Sequence, residues 1–195
     1  MKYIDTAFNQ LSFAWKLYNY ALEGHINLEE LDKPLRFEEG PFVLVLPDKV
    51  FNSPDDLVLA LENNVTIAFG AAAITLNRCR EEAGLKLADS IVTEIDQFAA
   101  VVYQIRNAFA HDIAEPRWNI TSALFARSYE FGDIRIDLAA VGTKGFEYSD
   151  IGGPDVLFRM KEYWSKGGVS LRWPRNNGHL DYDSLACCSN SSGLR

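Results

Sequence analysis

IVTEIDQFAAVVYQIRNAFAHD, residues 91 to 112, places Ile91, Ile95, Phe98, Val102, Ile105 and Phe109 at steps of four, three, four, three and four. That period belongs to an amphipathic α-helix. The spacing predicts a helix from Asp89 or Ile91 to Asp112, and Pro116 prevents much continuation. At about 100° per residue, with Phe109 set to zero, the six apolar positions fall within roughly ±40° and define a core face. Arg106 then lies at the edge of that face, near +60°. Asn107 and His111 fall on the far side, near 160° and −160°, so His111 is predicted to stand clear of the core.

The segments before this helix carry the same period. Phe8, Leu11, Trp15, Tyr18 and Leu22 predict a first helix from Asp5 to about Glu23, stopped by Gly24. Ser53-Pro54-Asp55-Asp56 combines an N-cap hydroxyl, a proline at the first helical position and acids at the positive end of the dipole. It opens a helix to about Glu82, bounded by Gly84, with Leu57, Leu61, Val65, Ala68, Ala72 and Leu76 inward. The small run Gly70-Ala71-Ala72-Ala73 would let another helix approach closely. Between these helices, residues 26–52 contain Pro34, Gly40, Pro41 and Pro47 around Phe42 to Leu46. That apolar run reads as a short strand or a packed loop, and the prolines favour an irregular insertion.

Beyond Pro116 the period changes from 3.6 to 2. Tyr129 to Leu138 alternates about Gly132-Asp133 and predicts a β-hairpin. Gly153-Pro154-Asp155 opens a last helix to about Trp164, with Val156, Leu157, Met160 and Trp164 inward. Residues 167–195 read as a loosely structured tail. The expected architecture is mainly α: a helical bundle over 1–115, then a small β-hairpin and a further helix over 116–166 packed on it.

Composition narrows the functional classes. The chain has 195 residues, 48% hydrophobic and 24% charged, which suits one domain with a core. Its longest uncharged apolar run, Val65 to Leu76, spans 12 residues and is too short for a bilayer. Asp5 interrupts any secretory leader in MKYIDTAFNQLSFAWK, so a cytoplasmic location is expected. Cys79, Cys187 and Cys188 fit neither a disulfide framework nor zinc-ligand spacing, and reduced thiols are expected. A net charge of −8 argues against a broad basic surface for nucleic acid, so any RNA contact must be local.

The histidine and arginine supply such a local site. Cleavage of RNA by the neighbouring 2′-hydroxyl needs a group that titrates near neutrality and a permanent cation on the phosphate. Those are the properties of His111 and Arg106, and the reaction requires no metal or cofactor. The two residues are separated by about 140° around one helix, so to share a site the arginine must bend around the helix, the last turn must loosen, or a second subunit must bring its own copy opposite, as a two-fold dimer would. Asn107 shares the histidine's face four residues away and could orient the imidazole or contact RNA.

Arg106-Asn107-Ala108-Phe109-Ala110-His111 resembles the R-x4-6-H signature of the HEPN superfamily (higher eukaryotes and prokaryotes nucleotide-binding). The resemblance rests on those six residues, on the polar residue after the arginine and on their place late in a long helix. It implies a helical bundle that dimerises and a metal-independent endoribonuclease of toxin–antitoxin, phage-defence or RNA-processing systems. Arg106 and His111 would form the catalytic pair, with Asn107 in support. The partners implied are an RNA substrate, a second copy, and an antitoxin or nucleotidyltransferase-like protein. The alternative is a catalytically silent HEPN-like module that binds a protein or nucleotide; another is the regulatory half of a toxin–antitoxin pair.

Other candidates have plainer explanations. His25 follows Gly24 as a loop or capping residue, and His179 sits in a turn-like segment. Arg172-Trp173-Pro174-Arg175 could stack on a base but reads better as surface. Glu94 and Asp96 read as helical surface charge.

Overall fold

Three long helices, two hairpins and a closing helix make up the computed structural model, which describes residues 2–46 and 48–166. The tail, with Arg172-Trp173-Pro174-Arg175, His179, Cys187 and Cys188, lies outside the described residues, as does Pro47.

The first helix, α1, is Lys2–Leu22. Ile4, Phe8, Leu11 and Ala14 form its buried line, while Trp15 and Tyr18 are half-buried. Leu22, expected on the inner face, is exposed because the helix runs past the end of the core. Gly24 takes φ +71°, and the amides of Gly24 and His25 return to the carbonyls of Ala21 and Tyr20 at 3.0 and 2.8 Å, a Schellman ending.

The long helix α3, Pro54–Glu82, starts at the predicted Ser53 cap and carries a full capping box with Asp56. Gly84 ends it in the same way, at φ +77°. The inward stripe holds at Leu57, Val65, Ala68, Ala72 and Leu76, whereas Leu61 is half-buried. Phe69, Gly70, Ala73, Asn77, Cys79 and Arg80 are buried too, because α3 is the middle helix, with α1 on one side and α4, Glu94–Ala110, on the other. By length and hydropathy α3 could cross a membrane, a property shared by core helices of this kind. Its buried Arg80 acts as a staple beyond the helix end: the guanidinium donates to the Leu85 carbonyl and to Asn77 Oδ1 at 2.9 and 3.1 Å.

Residues 26–52 differ from the irregular insertion expected. They form a short helix, α2 (Leu28–Leu31), and an antiparallel hairpin of β1 (Arg36–Glu39) and β2 (Phe42–Val45). Pro41 does not interrupt the ladder because it sits in the two-residue turn, beside Gly40 at φ +56°.

The second hairpin, β3 (Ser128–Phe131) with β4 (Ile134–Asp137), turns at Gly132-Asp133 as its alternation predicts. Tyr129, Phe131, Ile134 and Ile136 face the core, and Glu130 and Arg135 pair outward at 2.9 Å. The last helix, α5, is Val156–Ser165. It buries Val156, Leu157 and Met160 and stacks Trp164 on Phe98 of α4, with ring centroids 5.8 Å apart at 16°. The fold is therefore mainly α, a helical bundle with a small C-terminal hairpin and a further helix.

Candidate functional site

The helix bearing Arg106, Asn107 and His111 begins later than its apolar period suggests. Thr93 accepts from the Asp96 amide at 3.2 Å, and Asp96 accepts from the Thr93 amide at 2.9 Å. This capping box sets the start at Glu94 and leaves the buried Ile91 in the preceding turn. Asp96 is thus a cap, its carboxyl held below the usual carboxylate range by the bonds from Thr93. Glu94 also has a structural task, accepting from the Gly132 amide and the Tyr163 hydroxyl, each at 3.2 Å.

Of the six stripe residues, Ile91, Phe98, Val102, Ile105 and Phe109 are buried, and Ile95 is half-buried. Ala100, Val101, Gln104 and Ala108 are buried as well, so the middle of α4 is enclosed on more than its predicted face. Towards its end the far side opens to solvent. Ala110 and His111 are exposed, and Asn107 is half-buried.

The end of α4 is pinned from three directions. Gly70 of α3 comes so close that a Cβ there would stand 2.5 Å from Phe109 Cδ1 and 2.8 Å from Ile113 Cγ1. The Phe109 ring packs on Phe69 at 5.6 Å and Phe146 at 4.9 Å. Beyond the helix, Asp112 Oδ1 accepts from the amides of Ala114 and Glu115 at 2.9 and 3.0 Å, which turns the chain back. Those two bonds hold the Asp112 carboxyl below its usual range. The returning segment then gives the Arg117 amide to the Ala108 carbonyl at 2.9 Å. It is anchored one residue on, where buried Trp118 donates from Nε1 to Asp150 Oδ2 at 2.8 Å. Burial pushes the Asp150 carboxyl up, but the bonds from Lys144 (2.7 Å), Trp118 and the Glu147 amide (3.1 Å) outweigh it and hold the group below its usual range.

The three predicted residues are placed as follows. Arg106 is half-buried at the edge of the core face, as its angle requires, and donates from a terminal guanidinium nitrogen to Asn107 Oδ1 at 3.0 Å. Asn107 is therefore joined to the arginine rather than to the histidine. His111 is the C-cap of α4 at φ −95°, ψ −38°, so the helical twist continues through it and its separation from Arg106 around the axis is retained. Among the described residues its imidazole makes no hydrogen bond or ion pair with a side chain. One chain thus presents a free imidazole and, on a neighbouring face, an asparagine-bound guanidinium. Among the described residues no cluster of three or more histidine, cysteine or acidic side chains could hold a metal.

The close approach foreseen for the Gly70 run is realised at Gly70, against α4. Arg117 belongs to no motif in the sequence; its signal is its place after Pro116, which ends the helical pattern. His25 is a loop residue, paired with Glu23 at 3.0 Å. In comparison with known proteins, the chain matches no family model, no curated protein and no solved structure, so its chemistry is argued from these residues.

Proposed function

We propose that the chain is a HEPN-type, metal-independent endoribonuclease that works as a homodimer, with His111 and Arg106 as the reacting pair. The observation that carries this reading is the exposed, unbonded His111 imidazole at a fixed helix end, one turn beyond an arginine already oriented by Asn107. In the first step His111 accepts the proton of a ribose 2′-hydroxyl while that oxygen attacks the adjacent phosphorus. The P–O5′ bond breaks, leaving a 2′,3′-cyclic phosphate, and the departing 5′-oxygen takes a proton from an imidazolium or from water. Arg106 neutralises the charge that develops on the phosphate oxygens. Since about 140° of helix separates the two side chains within one chain, the arginine opposite each histidine comes from the second copy. An antitoxin or nucleotidyltransferase-like partner would then act by covering that cleft.

The test is RNA incubated with the purified protein in EDTA, beside His111→Ala and Arg106→Ala. Cleavage should survive chelation and fall by at least about 10²-fold in each variant, the scale of a lost acid–base group. Equal cleavage by wild type and both variants removes the assignment. A second reading is favoured by the Arg106–Asn107 bond, which leaves the two reactive groups apart in a single chain. It is a catalytically silent module that binds a protein or nucleotide, and a protein without activity on any RNA would support it.

A further inference from the structure

The β1–β2 hairpin is exposed on both faces along its whole length. Phe42 is 75% exposed and Val45 64%, with Phe37, Val43 and Leu44 all more than half exposed. A two-stranded hairpin alone in water is marginal, and three or more strands are needed for independent stability. This one has too few strands and too much uncovered apolar surface.

The register identifies which backbone groups are free. Leu46 donates to the Leu35 carbonyl at 3.0 Å, and the pairs run Arg36↔Val45, Phe37↔Leu44, Glu38↔Val43 and Glu39↔Phe42. Bonded and non-bonded pairs alternate in an antiparallel ladder. Residues 42, 44 and 46 therefore point their amides and carbonyls at β1, and Val43 and Val45 point theirs outward. The outer edge of β1 carries Arg36 and Glu38, which form an ion pair with each other. Charge of this kind is how natural edge strands avoid being paired. The outer edge of β2 reads Phe42-Val43-Leu44-Val45-Leu46, with neither charge nor proline.

We infer that the free edge of β2 is an assembly strand that pairs antiparallel with β2 of a second copy. One register satisfies every outward group. With Leu44 opposite Leu44 of the second copy, Val43 of each chain meets Val45 of the other, and the two valine pairs exchange four main-chain hydrogen bonds. Shifting the centre to Val43 would set Val45 opposite Pro41, which has no N–H to give. In the favoured register Phe42 also faces Leu46, so every cross-strand pair is apolar and no like charges meet. The product is a four-stranded sheet in the order β1-β2-β2-β1, with the ion-paired strands outside. A second copy fits this edge better than a basic partner would, because the acids Glu38 and Glu39 lie on the other strand. This contact does not depend on the ribonuclease reading and uses none of its residues.

The test is the mass of the full-length protein by light scattering at tens of micromolar, for wild type, Val43→Pro and Glu38→Pro. The two substituted positions face each other in the hairpin, and both carry outward amides, so their effects on the hairpin itself are matched. Val43→Pro should halve the wild-type mass, and Glu38→Pro should leave it unchanged. In a Cys187→Ser/Cys188→Ser background, Leu44→Cys should form a covalent dimer on mild oxidation, since Cα atoms in a non-bonded antiparallel pair lie within disulfide reach. Phe37→Cys should not. A monomeric wild type, equal masses for the two proline variants, or association of this edge with a different protein or with lipid vesicles in place of a second copy would each overturn the inference.

Discussion

Gly70→Ala places two effects in direct opposition. A glycine in the interior of a helix costs about 1 kcal/mol relative to alanine, so propensity alone predicts a gain in stability of that size. The structure predicts a loss. The added Cβ would meet Phe109 Cδ1 at 2.5 Å, Ile113 Cγ1 at 2.8 Å and Phe109 Cγ at 3.1 Å, so at least two side chains must move. Ile113 is half-buried and can swing outward. Phe109 is held between Phe69 and Phe146 and has nowhere to turn without displacing them. Overpacking of this kind costs about 1–3 kcal/mol. Set against the propensity gain, a net loss of up to about 2 kcal/mol is expected, or a fall in Tm of up to about 8 °C for a chain of this size. Urea unfolding followed by circular dichroism measures it, repeated in a Phe109→Leu background where the smaller side chain makes room. The penalty of the Gly70 substitution should shrink there by about 1 kcal/mol, the coupling expected of residues in contact. If Gly70→Ala raises stability, or its cost is the same in both backgrounds, the close approach of α3 to the end of α4 is refuted.

Asp150→Asn should cost about 1–2 kcal/mol at pH 7 by weakening the bonds to Lys144 and the Glu147 amide. Because the folded carboxyl titrates below its unfolded value near 3.9, this stability is complete above that value and disappears as pH falls through the folded one. The Tm gap between wild type and variant should therefore be constant above the unfolded value and close as pH falls below about 4, and a gap that persists in acid would contradict the assignment. Burial also pushes the Cys79 thiol up. In a Cys187→Ser/Cys188→Ser protein it should resist a thiol reagent at pH 8 until denaturant is added, and rapid labelling of the native protein would show that the α1–α3 seam opens readily.

The helical architecture could be read because its signals are local. The Ser53 cap, the glycine stops at 24 and 84, and the alternation about Gly132-Asp133 each act within a few residues, and the structure uses all of them. The start of α4 differs from the period's prediction because the apolar spacing extends back to Ile91, while the Thr93–Asp96 box, a shorter-range signal, sets the boundary. The β1–β2 hairpin was obscured by its prolines, whose harmlessness depends on Pro41 falling inside the turn. At the candidate site, the angular placement of Arg106 and His111 followed from helix geometry alone. The Arg106–Asn107 bond and the docking of Arg117 against Ala108 depend on side-chain and tertiary choices that no periodicity encodes.

The link from the Arg117 amide to the Ala108 carbonyl bears on how this chain could be dissected. It ties the last turn of the motif helix to a stretch of polypeptide that a map drawn from helical pattern would place in the appendage. Phe146 and Trp118, which wall in the same turn, belong to that later stretch too. A shortened gene product stopping at residue 115 would keep the letters of the motif but lose the clasp that fixes where they sit. The smallest unit worth expressing on its own is therefore one that runs through α5.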